Sequence, residues 1–142
     1  MAEVLKLDLP GSLSQVTHLR DAVADTLRML KGVEDAESIC YNVQLAAQEI
    51  AVNIVEHAYK GGRDPERQRI RATLSVFQRP RRIEIELRDS GAPFNPTLMP
   101  DPLLDDVHEG GYGVFLARTL LDELACERES SGNCWRLIKN IP

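Results

Sequence analysis

Residues Gln44–Lys60 read QLAAQEIAVNIVEHAYK. At helical spacing Val43, Ala46, Ala47, Ile50, Ile54 and Ala58 form an apolar stripe, and Glu49, Asn53 and His57 fall on successive turns of a stripe beside it. Packing alone gives a core helix no reason to carry that polar row. A carboxylate followed one turn later by a carboxamide, at the edge of a buried face, suits a general base beside a ligand for a hard cation such as Mg²⁺. The same residues also fit the polar border of an ordinary amphipathic helix.

The spacing on either side predicts alternating helices and strands. Val4–Leu9 alternates apolar and polar residues and stops at Pro10-Gly11, as a short strand does. Ser12 or Ser14 can cap a helix over Val16–Leu30, with Lys31-Gly32 closing it, and the long second helix is expected over Glu34–Lys60. Arg20 falls on the outer, charged face of the first helix, where such residues usually serve only to solvate it. Arg69–Phe77 and the stretch around Ile83, Ile85 and Leu87 alternate as strands with one wet face, joined by a turn at Arg79-Pro80-Arg81. Continuing that parity puts Asp89 on the same side as Leu87, where an unpaired carboxylate needs a donor or a ligand. An aspartate capping the Asp89-Ser90-Gly91 turn is the alternative.

Asn95–Gly110 is a long, acidic, proline-containing connection of the kind that serves as a lid or a disordered linker. Gly110-Gly111-Tyr112-Gly113 then leads into a helix expected over Val114–Leu124, with Leu116, Leu120 and Leu124, flanked by Ala117 and Leu121, as its apolar stripe. Glycines that open a helix leave backbone N–H groups and a positive dipole end free for phosphate oxygens, and they can also be plain hinges. Ala125–Glu129 and Cys134–Lys139 flank Ser130-Ser131-Gly132-Asn133 as a hairpin.

Bulk properties narrow the class. The chain has 142 residues, a net charge of −5 and 43% hydrophobic residues, which predicts a single domain over 1–142 with enough chain for a real core. Dispersed Lys and Arg on an acidic chain argue against nucleic acid as a direct partner. No apolar run is long enough to span a membrane, and MAEVLKLDLP lacks a signal-peptide layout, so the expected place is the cytoplasm, away from the membrane. Cys40, Cys126 and Cys134 have no CxxC spacing and are expected to be reduced, buried thiols; His18, His57 and His108 are as scattered.

Three boxes in one order change the weight of these signals: E49-I-A-V-N53-I-V-E-H57, D89-S-G91-A-P-F-N-P96 and G111-Y-G113-V-F-L116. Together they resemble the Bergerat-fold ATP-binding superfamily of gyrase, heat-shock chaperone and sensor histidine kinase ATPase domains. Ala92-Pro93-Phe94 after Gly91, the ending G132-N-C-W-R-L-I-K139 and the Leu19-Arg20 helix are similar to the bacterial anti-sigma-factor serine/threonine kinases. No GxxxxGK[ST] loop offers a rival nucleotide site. Thr17-His18-Leu19-Arg20 lacks the Glu and Thr-Pro of a histidine-kinase phosphoacceptor box, so His18 reads as a surface residue.

The resemblance implies a two-layer α/β sandwich with helices on one face of a mixed, mostly antiparallel sheet. It implies ATP and Mg²⁺ as cofactors, with Asn53 on the metal, Glu49 as general base, and Asp89 on the adenine amino group. Gly91 would make room for the base, and Gly111, Tyr112 and Gly113 would lie along the phosphates. His57 is expected to be structural, tying the helix end to a neighbour. The implied activity is phosphorylation of an anti-anti-sigma-type protein by a homodimeric kinase that also sequesters a sigma factor, with Arg20 as a partner contact. A non-catalytic, nucleotide-regulated interaction module of the same fold is the alternative.

Overall fold

A computed structural model describes residues 2–59, 64, 67–94 and 112–142. β1 (Ala2–Pro10) is followed by α1 (Leu13–Leu27) and α2 (Ala36–Asn53), and α2 runs on into a single π-helical turn over Ile54–Ala58. Then come β2 (Arg69–Gln78), β3 (Arg81–Asp89), α3 (Tyr112–Leu120), β4 (Glu123–Glu129) and β5 (Gly132–Asn140). The strands form one sheet in the order β1-β2-β3-β5-β4, and each described pairing is antiparallel. This is the expected α/β sandwich, with the three helices on one face.

Strand alternation decides which face is covered. Ile70, Ala72, Leu74 and Val76 of β2, Ile83, Ile85 and Leu87 of β3, and Trp135 and Leu137 of β5 are all buried in one cluster with Leu19, Val23, Val43, Ala47, Ile50 and Ile54 of the helices. The register lines them up in rows across the sheet: Leu74 opposite Ile85 and Ile85 opposite Leu137, then Ala72 opposite Leu87 and Leu87 opposite Trp135. The next row toward that end of the sheet pairs Asp89 with Asn133. On the uncovered face Glu84 and Glu86 are interleaved with arginines, including Arg88–Glu86 at 2.7 Å and Arg82–Glu84 at 3.2 Å, and Arg82 lies 3.9 Å over the Phe77 ring. That face is wet, as the alternation predicts.

Element ends depart from the spacing where tertiary contacts intervene. α1 stops at Leu27 rather than Leu30, because Met29 and Leu30 donate to Thr26 and Leu27 in a tightened last turn. Ser12 holds the N-cap position with extended backbone, but its hydroxyl meets Ser14 Oγ at 3.1 Å instead of a backbone N–H. α2 begins at Ala36, after Asp35 in a left-handed conformation. α3 ends at Leu120, so Leu124 belongs to β4, and the buried positions are Val114 and the flanking Ala117 and Leu121, while Leu120 and Leu124 of the expected stripe are half-buried against the core. Asp122 N–H donates to Ile138 O at 2.9 Å, which draws the chain into the sheet one turn before the leucine spacing runs out. The hairpin turn is tighter than expected: Glu129 pairs directly with Gly132, and Asn133 is already in β5. The three cysteines are unpaired; Cys134 is buried, Cys40 and Cys126 are half-buried, and burial pushes the Cys126 thiol up to about 12.

Candidate functional site

The polar row of α2 sits where the helix changes form. Tyr59 N–H reaches Ile54 O at 3.0 Å, an i→i+5 bond, so the turn after Asn53 holds an extra residue and its side chains leave the α-helical stripe. Tyr59 anchors this turn. It is 1% exposed, its hydroxyl donates to Arg69 O, and it accepts the Ser90 N–H at 2.8 Å. The end of α2 is thereby tied to the start of β2 and to the turn that follows Asp89.

A cavity of about 50 Å³ opens between that turn and the polar row of the sheet, lined by Asn53, Ile54, His57, Ala58, Asp89, Ala92, Pro93, Phe94, Asn133 and Trp135. The Phe94 and Trp135 rings meet at 4.8 Å between centroids, tilted by 45°, and make its apolar wall. Asp89 is 7% exposed. Its Oδ1 accepts Gly91 N–H at 2.8 Å and Asn133 Nδ2 at 2.9 Å, while its Oδ2 is buried with no hydrogen-bond partner among the described residues. Burial pushes the carboxyl above its usual range, and the hydrogen bonds from Gly91 and Asn133 and the nearby Arg128 charge oppose that shift. Leaving a buried acceptor unmatched costs about 1–3 kcal/mol, a cost a fold does not meet without compensation elsewhere.

Asn53 is 6% exposed and lines the same cavity as Asp89. Glu49 lies one turn back along α2 and is half-buried; desolvation, and next the Glu56 charge, raise its carboxyl above the usual range. Its Oε2 sits 2.9 Å from where a Cβ on Gly113 would be, so the first turn of α3 lies against the Glu49 carboxylate. Tyr112 opens α3 and is 42% exposed. Gly111 and the Asn95–Gly110 connection lie outside the described residues.

Other expected residues fall elsewhere. Gly91 does not line the cavity; a Cβ there would lie 2.5 Å from Ala58 Cβ, so its missing side chain lets the Asp89 turn pack on the π turn. His57 is exposed and lines the cavity, with no hydrogen bond to a neighbour among the described residues, which corrects the expectation that it ties the helix end; Tyr59 does that. Arg20 is half-exposed on α1, paired with Asp21 at 3.4 Å and donating to Gln48 Oε1 at 3.3 Å, one residue from Glu49. Sequence reasoning missed Asn133, although Asn133, Trp135 and Leu137 share one parity and that alternation places the amide on the core face.

The chain belongs to the histidine kinase-like ATPase domain family, whose profile matches residues 9–139. Among curated proteins it is similar to the serine-protein kinase RsbW of Bacillus pumilus, 26% identical over 135 residues that cover 89% of this chain and 71% of the relative. It is also similar to the serine/threonine-protein kinase BtrW of Bordetella bronchiseptica, 33% identical over 97 residues, 66% of this chain and 65% of that one. The crystal structure of the RsbU and RsbW domains of a Mycobacterium tuberculosis protein superposes with a TM-score of 0.68 at 16% identity. That match covers 96% of this chain and 32% of the longer one, and it shows the shared fold.

Proposed function

We propose that this domain binds ATP with Mg²⁺ and is a serine/threonine protein kinase acting as an anti-sigma factor, phosphorylating an anti-anti-sigma-type protein and sequestering a sigma factor. The observation that carries the nucleotide reading is that Asp89, whose Oδ2 is buried with no hydrogen-bond partner among the described residues, lines a cavity with an aromatic wall. An ionised carboxylate only accepts hydrogen bonds, so it selects a base edge that donates, as the amino group of adenine does. Asn53 supplies the carboxamide oxygen for the metal, and no cluster of three or more His, Cys, Asp or Glu among the described residues offers a rival metal site. When bound, Mg²⁺ would neutralise charge on the transferring phosphoryl group.

The remaining chemistry belongs to side chains of this chain. Glu49 takes the proton of the attacking serine or threonine hydroxyl, and its raised pKa makes it a stronger base at neutral pH than an ordinary carboxylate. As the new O–P bond forms, the bond to the leaving diphosphate breaks. Tyr112 and Gly113, in the first turn of α3 beside Glu49, present backbone N–H groups to the phosphates. Arg20, half-exposed on α1 and bonded to Gln48 of α2, is the partner contact of this reading. Similarity to RsbW and BtrW supports the kinase part of this reading.

Incubation with radiolabelled ATP and a candidate acceptor tests it. Transfer of label to the acceptor that is lost in Glu49→Ala, with ATP binding kept, is the expected result. Nucleotide binding without any protein-bound label would leave the non-catalytic interaction module instead.

A further inference from the structure

The register sets like charges against each other at one end of the uncovered face. Arg71 of β2 lies directly opposite Arg88 of β3, with Asp8 of β1 opposite Arg71 on its other side. Directly opposed like charges destabilise a strand pair. The neighbouring carboxylates answer them unequally. Arg88 is held by Glu86 at 2.7 Å and by Glu129 at 3.1 Å. Asp8 is committed to Arg69, which takes both its Oδ1 and its backbone oxygen, so Arg71 comes no nearer to Asp8 Oδ2 than 3.8 Å. The Arg71 side chain is 72% exposed, and its guanidinium makes no hydrogen bond among the described residues.

A cavity of about 230 Å³ opens over this pair, lined by Arg67, Arg69, Arg71, Arg88, Ser90 and Ser131, with Asp89 and Glu129 completing it. Four guanidiniums therefore meet two carboxylates there, and Glu129 is already engaged by Arg88. Arg67 adds a further loosely held cation, 3.9 Å from Asp64. A planar guanidinium offers a fork of N–H donors that matches the oxygens of a phosphate, and serine hydroxyls donate to the oxygens that remain. A tetrahedral dianion can meet several such donors at once, and between Arg71 and Arg88 it would cancel the repulsion that the register builds in. We propose that this arginine pocket binds a phosphate dianion, free in solution or as the monoester of a small molecule. It is distinct from the base cavity, whose other lining residues it does not share, although Asp89 lines both. The proposal does not depend on the nucleotide reading.

Titration of inorganic phosphate into the full chain at constant ionic strength, followed by amide NMR and by melting temperature, tests it, with glycerol 3-phosphate as a second arm. Saturable shifts at Arg71, Arg88, Ser90 and Ser131 are expected, with a melting temperature that rises with phosphate and not with chloride. Tighter binding of glycerol 3-phosphate assigns the monoester, and tighter binding of phosphate assigns the free ion. Arg71→Ala is expected to weaken binding by about tenfold, the scale of a hydrogen bond to a charged group. Arg71→Lys should recover only part of that, because lysine offers a point charge rather than a fork. Arg67→Ala, at an exposed position, should weaken binding by about threefold. Arg71→Ala also removes one of two opposed like charges, so without phosphate it should melt at the same temperature as the unmodified chain or higher. Shifts confined to Tyr112 and Gly113, equal affinity in Arg71→Ala, or a response that chloride reproduces, which means an adventitious ion only, overturns the proposal. So does a lower melting temperature of Arg71→Ala without phosphate, which would make Arg71 a structural partner of Asp8.

Discussion

The covered face of the sheet carries two kinds of row. Leu74, Ile85 and Leu137 lie side by side and are about 1% exposed, sealed by α1 and α2, while one end of the same strands carries Asp89 opposite Asn133, equally sheltered but polar. Both rows follow from the same period-two alternation. The apolar rows are complete without anything further, whereas the polar row leaves one carboxylate oxygen unmatched among the described residues. A site arises here because the core's register continues into residues that the core cannot satisfy.

That contrast can be broken most severely through chemistry. Glu49→Gln keeps the shape of the side chain and removes the base, so phosphoryl transfer should fall by about 10²–10⁴-fold with ATP affinity retained, as read by label transfer and calorimetry. The unmodified rate should rise with pH through a midpoint above the ordinary carboxylate value, because burial and Glu56 hold the Glu49 proton on longer. A flat profile in that range would remove Glu49 from the chemistry.

Within the apolar rows the expected loss is in stability. Leu87→Ala should cost about 2–5 kcal/mol in denaturant unfolding, since Leu87 is fully buried between Ala72 and Trp135. Asp89→Asn should act in the opposite sense. The folded protein raises the Asp89 pKa, so over the range from the unfolded value up to the folded one the native state binds more protons and loses stability as pH rises. The neutral amide removes that cost, so the melting temperature at neutral pH should increase. Arg20→Glu should weaken binding of a protein partner by about tenfold, the scale of a reversed charge at a contact, without altering ATP affinity. The smallest effect belongs to the uncovered face: Glu129→Gln should change stability by no more than about 1 kcal/mol, because its ion pair with Arg88 is exposed on both sides and such pairs contribute little.

Strands and their inward faces were legible because alternation over several residues admits one register, and Asp89 was placed on the core side by that parity alone. Helix ends were less legible. The Leu116, Leu120, Leu124 spacing is genuine helical periodicity, yet pairing of Asp122 with Ile138 claims Leu124 for the sheet. The π turn carries no mark of its own in the sequence; it depends on Tyr59 meeting Arg69 O and Ser90, residues distant along the chain. Asn133 was hidden by turn chemistry, since Ser-Ser-Gly-Asn reads as a loop although only Ser130 and Ser131 form one.

The central claim, that the polar row is a nucleotide-binding site, is tested most directly by calorimetric titration of ATP and Mg²⁺ into the unmodified chain and into Asp89→Asn. Saturable binding that is lost in the variant, while the variant melts at a higher temperature, is the predicted result. Equal ATP affinity in the two proteins, or no binding to either, would contradict it.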